Sequence, residues 1–204
     1  MKKLVYILLS AIILSDASVT MADDTPSQTD AVAVFKQGVA LFDSGDFRGA
    51  ANAFRQANRL KENWKIQYNI GQSEAAAKRY GLALEAFESY LALGGDEIDI
   101  ARRDEVLDEI KRMKLRVATL EVSAPPGALV YIDDFLRGAV PLPGPMLISA
   151  GVLHVLEIKL DDEVILTQQV KLSNGQTQKI SVENRDAPVI TDAAAPTDAA
   201  TVPD

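Results

Sequence analysis

The 204-residue chain contains no cysteine and only one histidine, His154. Without cysteine there are no disulfide bonds, thiol nucleophiles or thiolate metal sites, and no residue for an amino-terminal lipid anchor. One histidine is too few for a histidine-based metal site. The sequence also lacks a P-loop, a dinucleotide-binding glycine pattern and an HExxH motif. We therefore expect no cofactor, no bound metal and no enzymatic activity.

Basic residues are also scarce: 21 lysines and arginines stand against 29 acidic residues, which gives a formal net charge of −8. An acidic chain repels nucleic acid and anionic lipid surfaces, so we expect no nucleic-acid partner. The acids show no linear signal for a glycosidase pair. The pairs Asp133-Asp134 and Asp161-Asp162 lack EF-hand spacing, so they indicate surface turns rather than calcium sites.

Long apolar runs are almost absent, and the exception is residues 4–14. This run follows Lys2 and Lys3 and precedes a small-residue cleavage site ending at Ala22, which is typical of a signal peptide. The alternative is a membrane anchor, but a spanning helix needs about 20 apolar residues. We expect residues 1–22 to be removed near Ala22. The mature protein would then be periplasmic or extracellular and would have no integral membrane span.

Composition divides the remaining chain into a short leader (23–30), a helical domain (31–115), a β domain (116–184) and a tail (185–204). The tail is rich in Ala, Asp, Pro and Thr and has too few large apolar residues to offset the entropy of ordering, so it is expected to be disordered. The fold class is therefore α+β with two segregated domains. We expect an all-α helix-turn-helix repeat array of about five helices, followed by a small antiparallel β-sandwich or barrel. Because Leu115 leads into the first strand without a linker, the domains should be rigidly coupled.

The helical domain contains an internal repeat of 33 residues, which aligns Gly38 with Gly71. Each unit carries an apolar stripe of small and aromatic residues at helical spacing. The units are assigned to 31–63 and 64–95, with a capping helix at 96–115. Asp46 and Asp96 are predicted to cap the second and fifth helices.

This pattern resembles the tetratricopeptide repeat, which has Gly at its eighth, Ala at its twentieth and Phe at its twenty-fourth position. The matching residues are Gly38, Ala50, Phe54, Gly71, Ala83 and Phe87. A plain helical bundle with coincidental spacing is the alternative. The resemblance implies a groove lined by the first helix of each unit, which binds a peptide or protein partner. The positions carried over to this groove are Val32, Phe35, Val39, Lys65, Tyr68, Asn69 and Gln72. Simple burial of Phe35 and Tyr68 is the other interpretation.

The β domain is predicted from short apolar runs between turn residues. The expected strands are 117–122, 128–132, 146–148, 152–160, 164–172 and 179–182. Segments 120–133, 138–142 and 150–155 resemble the PEGA domain, an envelope accessory module. Pro126 and Asp134 depart from that family's pattern. The family often has a histidine at the position of His154, which implies a packing or hydrogen-bonding role for this residue.

Two functions remain open from the sequence. The first is a non-catalytic adaptor of the bacterial cell envelope that binds a protein or peptide through the helical groove. The alternative is a structural or surface-associated protein whose β domain binds peptidoglycan or polysaccharide. The sequence does not identify the partner or the process that the protein serves.

Overall fold

The computed structural model describes residues 28–182. The predicted signal peptide, the tail and most of the leader lie outside the described residues. Within these residues, five α-helices are followed by seven β-strands. This order confirms the α+β class, with a helical region followed by a separate β region. None of the helices in this part of the chain combines the length and the apolar character needed to cross a membrane.

The helices form two helix-turn-helix units and a fifth helix. They are α1 (Gln28–Asp43), α2 (Phe47–Leu60), α3 (Ile66–Ala76), α4 (Tyr80–Gly94) and α5 (Ile100–Lys114), with a 3₁₀ turn at Gly95–Glu97. Helix α1 therefore includes the last three residues of the predicted leader, 28–30.

Of the two helix caps predicted from the sequence, the structure confirms one and contradicts the other. Asp46 caps α2 as predicted, and its carboxylate accepts a hydrogen bond of 2.9 Å from the Gly49 amide. The prediction for Asp96 is wrong: Asp99 caps α5 and accepts from the Ala101 amide at 3.0 Å. Asp96 lies in the 3₁₀ turn, which delays the start of α5 by one turn.

The same glycine-aromatic contact recurs in both units. A Cβ atom built on Gly38 would lie 2.7 Å from the Phe54 ring, and one built on Gly71 would lie 2.6 Å from the Phe87 ring. Each glycine thus lets the second helix of its unit bring an aromatic ring against the backbone of the first. This close approach is the packing reason for glycine at positions where it lowers helix propensity.

The seven strands form two sheets. The strands are β1 (Val117–Ser123), β2 (Leu129–Ile132), β3 (Phe135–Ala139), β4 (Met146–Ser149), β5 (His154–Leu160), β6 (Glu163–Val170) and β7 (Thr177–Ser181). One sheet has the order β4-β1-β7 and the other has the order β3-β2-β5-β6. Buried residues from both sheets, including Leu120, Val130 and Ile158, share one apolar core.

Two features of the β domain differ from the expected antiparallel set. Strands β1 and β7 pair in parallel, because β7 is reached by a long path through the other sheet rather than by a hairpin. Strand β3 was not predicted, since Arg137 and Gly138 interrupt its apolar pattern. It pairs with β2 through a register shift, and the φ angle of Gly138 is +151°. The turns at Asp133-Asp134 and Asp161-Asp162 were predicted, and all four residues have positive φ.

The two regions meet where α4 lies against β4. A Cβ atom on Gly81 would lie 2.2 Å from the Leu147 carbonyl oxygen, so helix and strand backbones are in direct contact. The Ser149 hydroxyl donates to the Lys78 carbonyl and accepts from the Tyr80 amide, both at 2.9 Å. Because these contacts use backbone atoms, they fix the position of the β domain against the second unit.

Candidate functional site

An apolar groove of about 270 Å³ lies at the amino-terminal end of the described helical array. It is formed by α1, the end of α2 and the start of α3. The residues that line it are Ala31, Val32, Phe35, Ala57, Lys61, Asn63, Lys65, Ile66 and Asn69. We call this surface the helical groove.

Buried packing in the first unit forms the floor of the helical groove. Ala57 and Ile66 belong to the apolar cluster around Phe54, and the Phe35 ring packs against Phe54 with centroids 5.2 Å apart. Val32 stands one helical turn before Phe35 and is 47% exposed, so its side chain remains available to a ligand. The groove therefore combines a rigid floor with an exposed apolar wall.

The rim of the helical groove is polar and basic. Lys61 and Lys65 flank the connection between α2 and α3, and the Lys65 ammonium lies 5.4 Å from the centroid of the Trp64 ring. The Asn63 side chain holds this connection by accepting from the Lys65 amide at 3.0 Å. Two cations beside an apolar groove favour a partner segment that carries both apolar and acidic groups.

The structure brings four of the seven predicted groove residues together: Val32, Phe35, Lys65 and Asn69 all line the helical groove. Val39 is exposed on α1 but lies outside the helical groove. Phe35 is only partly buried, so burial and lining of the groove are both true of this side chain.

The structure separates Tyr68 and Gln72 from the helical groove. The Tyr68 hydroxyl donates to Glu105 at 2.8 Å and accepts from Gln72 at 2.6 Å and Arg102 at 2.7 Å. Glu105 and Arg102 belong to α5, which therefore lies over this face of the second unit. Burial, with help from the hydrogen bond to Glu105, raises the pKa of Tyr68 to about 12.

Sequence reasoning missed Ala31, Ala57, Lys61, Asn63 and Ile66 as groove residues. The resemblance supplied selected positions on the first helix of each unit; Ala31 and Ile66 lie on those helices at other positions, and Ala57, Lys61 and Asn63 lie outside them. The end of α2 and the connection to α3 lie at the same place because the units stack side by side. The break in the apolar stripe after Ala57, followed by Lys61 and Asn63, is the signal that marks this connection.

His154 lies in a constellation that looks like a hydrolase triad but has different geometry. One ring nitrogen is 2.7 Å from an Asp133 carboxylate oxygen, while the other is 2.9 Å from the carbonyl oxygen of Ser149 rather than its hydroxyl. That hydroxyl already bridges Lys78 and Tyr80. The ring thus links β5 to β4 and to the β2–β3 turn, which fits the packing role expected for it. Within residues 28–182, no three His, Asp or Glu side chains are grouped to hold a metal ion.

In a comparison with known families, the sequence model of the tetratricopeptide repeat family matches residues 35–98. This part of the helical region is therefore similar to tetratricopeptide repeats. The match spans α2, α3, α4 and most of α1, including both glycine-aromatic contacts. No curated protein and no solved structure matches the chain.

Tetratricopeptide repeats generally mediate protein–protein interaction, and the family is typically non-catalytic. Stacked helix pairs present an extended surface on which a partner segment can lie. A protein partner and a scaffold role are therefore consistent with the helical region.

Proposed function

We propose that this protein is a non-catalytic adaptor of the bacterial cell envelope that binds a protein or peptide partner in the helical groove. The observation that carries the proposal is the partly exposed apolar wall of Val32 and Phe35 beside Lys65 and Asn69. Apolar anchor side chains supply most of the binding energy in such grooves, and polar rim groups supply orientation.

The partner segment is expected to carry at least one apolar anchor and one acidic residue. The groove volume suits a few side chains rather than a folded surface. Lys61 and Lys65 would pair with the acidic group at the rim, where a charge changes the association rate and the salt dependence more than the affinity.

The envelope setting rests on the signal-peptide pattern of residues 1–22, and the PEGA resemblance of the β domain supports the same setting. Cell fractionation of the full chain with a carboxyl-terminal tag tests it. A processed protein in the periplasm or medium is expected. An unprocessed protein in the cytoplasm would exclude the envelope role and leave the groove to be tested separately.

Affinity capture from an envelope extract tests the adaptor function. The groove variant carries Val32→Ser, Lys65→Ser and Asn69→Ala, none of which removes a buried side chain. The matched control is Val164→Ser, which changes an exposed valine on β6. A partner retained by the control and lost by the groove variant is expected. A partner that both variants retain would show that binding does not use the groove.

The second candidate is binding of the β domain to peptidoglycan or polysaccharide. It is favoured by three exposed apolar side chains around the start of β5: Val152, Leu153 and Val155. Exposed apolar groups clustered in one segment often mark contact surfaces. Co-sedimentation with purified cell wall tests this candidate, and loss of sedimentation in a Leu153→Ser variant would locate the contact. Failure of the parent protein to sediment would exclude binding to the cell wall.

A further inference from the structure

A larger cavity of about 510 Å³ lies where the second repeat unit meets the β domain. Helices α2, α3 and α4 form one side, and β3 with the loop before β4 forms the other. Its walls include Ile70 and Leu82 from the helices and Leu136, Leu142 and Met146 from the β domain. We call it the interdomain cleft. Its size is within the range of small-molecule sites.

The apolar walls of the interdomain cleft also contain two polar side chains that make no hydrogen bonds within the described residues. The Gln67 amide and the Ser89 hydroxyl line the cleft, and within residues 28–182 neither side chain has a hydrogen-bond partner. Both come from helices and are thus held on a rigid frame. Apolar walls with a few fixed polar groups are the usual composition of a ligand site.

Charged side chains lie in the walls of the cleft and directly behind them: Arg55, Glu85 and Arg137 line the cleft, and Arg55 pairs with Glu74. Glu74 is fully buried and pairs with both Arg55 and Arg79; its bonds to Arg79 are 2.5 and 2.9 Å long. On the other side of the cleft, Arg137 pairs with Glu85. Three guanidinium groups therefore face two carboxylates, which leaves one positive charge unbalanced.

Of the two arginines that share Glu74, Arg55 is the one that lines the cleft. It shares Glu74 with Arg79, and its buried Nη1 atom has no hydrogen-bond partner in the described part of the chain. The Phe135 ring lies under both arginines, with guanidinium carbons 4.8 Å and 5.6 Å from its centroid. These contacts fix the guanidinium of Arg55 in a partly desolvated wall, where its field acts strongly on an anion.

We infer that the interdomain cleft binds a small organic anion with one carboxylate next to an apolar group. The carboxylate balances the excess charge of the arginine cluster. The apolar group lies against the Leu142 and Met146 wall, and the Gln67 and Ser89 side chains orient the ligand. This site is separate from the helical groove, since the two cavities share no lining residue.

The test uses two probes of nearly equal shape, N-acetylleucine and N-acetylleucinamide, and amide chemical shifts of the full mature chain. N-acetylleucine is expected to shift the signals of Gln67, Ser89 and Leu142 and to bind about tenfold more tightly than the neutral amide, because only the acid meets the unbalanced charge. Equal binding of the two probes would overturn the inference. So would shifts confined to Val32 and Lys65, or an absence of shifts with either probe.

Two variants test the location of the site. Gln67→Glu keeps the size of the side chain and adds a negative charge. It should therefore lower the affinity for N-acetylleucine by about tenfold. Ser89→Glu should do the same, while Ser89→Gln is its uncharged match and should remain within about threefold of the parent. Circular dichroism verifies that each variant is folded. Unchanged affinity in both glutamate variants would overturn the assignment of the site.

The carboxyl-terminal residue of a peptide also has a carboxylate next to an apolar group. An acetylated Ala-Ala-Ala-Leu probe distinguishes such a peptide from a small ligand. Comparable affinity for the short and the long acid supports a small ligand. An affinity more than about tenfold higher for the long probe would replace it with a peptide segment.

Discussion

The two repeat units share one packing device but differ in what covers them. In both units a glycine of the first helix receives a phenylalanine ring of the second, at nearly the same distance. Within residues 28–182, no other element covers the groove of the first unit, whereas α5 and the β domain lie against the second. The repeat therefore provides the stable frame, and the residues outside the shared positions decide what packs against each unit.

The positions that differ between the units explain this division. Gly81 in the second unit corresponds to Arg48 in the first, and Glu74 corresponds to Leu41. Gly81 lets β4 approach α4, while Arg48 is exposed. Glu74 organises two arginines next to the β domain, while Leu41 packs in the apolar core of the first unit. Thus the second unit differs from the first at positions that contact the β domain, while the glycine-aromatic packing is the same in both.

The largest expected effect comes from giving the second unit the leucine of the first, Glu74→Leu. The change leaves the Arg55 and Arg79 guanidinium groups without their shared carboxylate. Removing one partner of a buried ion pair costs about 3 kcal/mol or more. We expect this loss in the free energy of unfolding from denaturant titration. The matched control Glu109→Gln breaks an exposed pair with Arg112 and should cost less than about 1 kcal/mol. Equal effects would show that the buried cluster does not stabilise the fold.

The next effect is expected from Gly81→Ala, because the added Cβ atom would overlap the Leu147 carbonyl. The strand backbone must shift, and overpacking of this kind costs about 1–3 kcal/mol. Thermal unfolding and limited proteolysis near Leu115 should both report loosened contact between the regions. Gly144→Ala is the control, since no atom lies within 4 Å of its Cβ position. An unchanged melting temperature for Gly81→Ala would mean that α4 and β4 are not in close contact.

A smaller difference is expected between Gly38→Ala and Gly71→Ala, which place a methyl group against equivalent rings. Phe87 is backed by Tyr68, which hydrogen bonds to α5 hold in place, whereas Phe54 is backed by the partly exposed Phe35, which has no such bonds. Gly71→Ala should therefore be more destabilising by about 1 kcal/mol in denaturant unfolding. If Gly38→Ala costs more, the first unit is the more rigid of the two.

The smallest effect concerns Tyr68, whose counterpart Phe35 has no hydroxyl. Because the pKa of Tyr68 is raised from 10.0 to about 12, the folded state keeps this proton to higher pH than the unfolded state. Its contribution is present below pH 10 and is lost as the pH rises to about 12. Between these values the parent should lose up to about 1 kcal/mol more stability than Tyr68→Phe, reduced by solvent screening at this partly exposed side chain. Parallel stability curves for the two proteins would contradict this prediction.

The sequence predicted the helical region well because its structure depends on local spacing. The 33-residue repeat and the capping side chain of Asp46 each act within a few turns of helix, and both are present in the structure. The prediction for Asp96 failed because a 3₁₀ turn and an α-helix start both favour acidic residues. Strand β3 was missed because its pairing with β2 is irregular, which removes the alternation of apolar residues.

The candidate site was predicted only in part, for a reason that concerns tertiary packing. Repeat positions placed seven residues on one face, and four of them line the helical groove. Tyr68 and Gln72 do not, because α5 folds back over the second unit and binds the Tyr68 hydroxyl, to which the Gln72 amide also donates. No local pattern in the repeat shows that the fifth helix would contact Tyr68.

By itself the sequence determined the class of fold, the repeat and the positions of the tight turns, since these depend on periodicity and on residues close together in the chain. Only the tertiary structure decided which unit remains open, how β4 lies on α4 and where an arginine cluster meets the β domain. These features join Arg55, Glu74 and Phe135, which are far apart in sequence. Their meeting depends on shape and charge across an interface, and no periodic pattern along the chain encodes it.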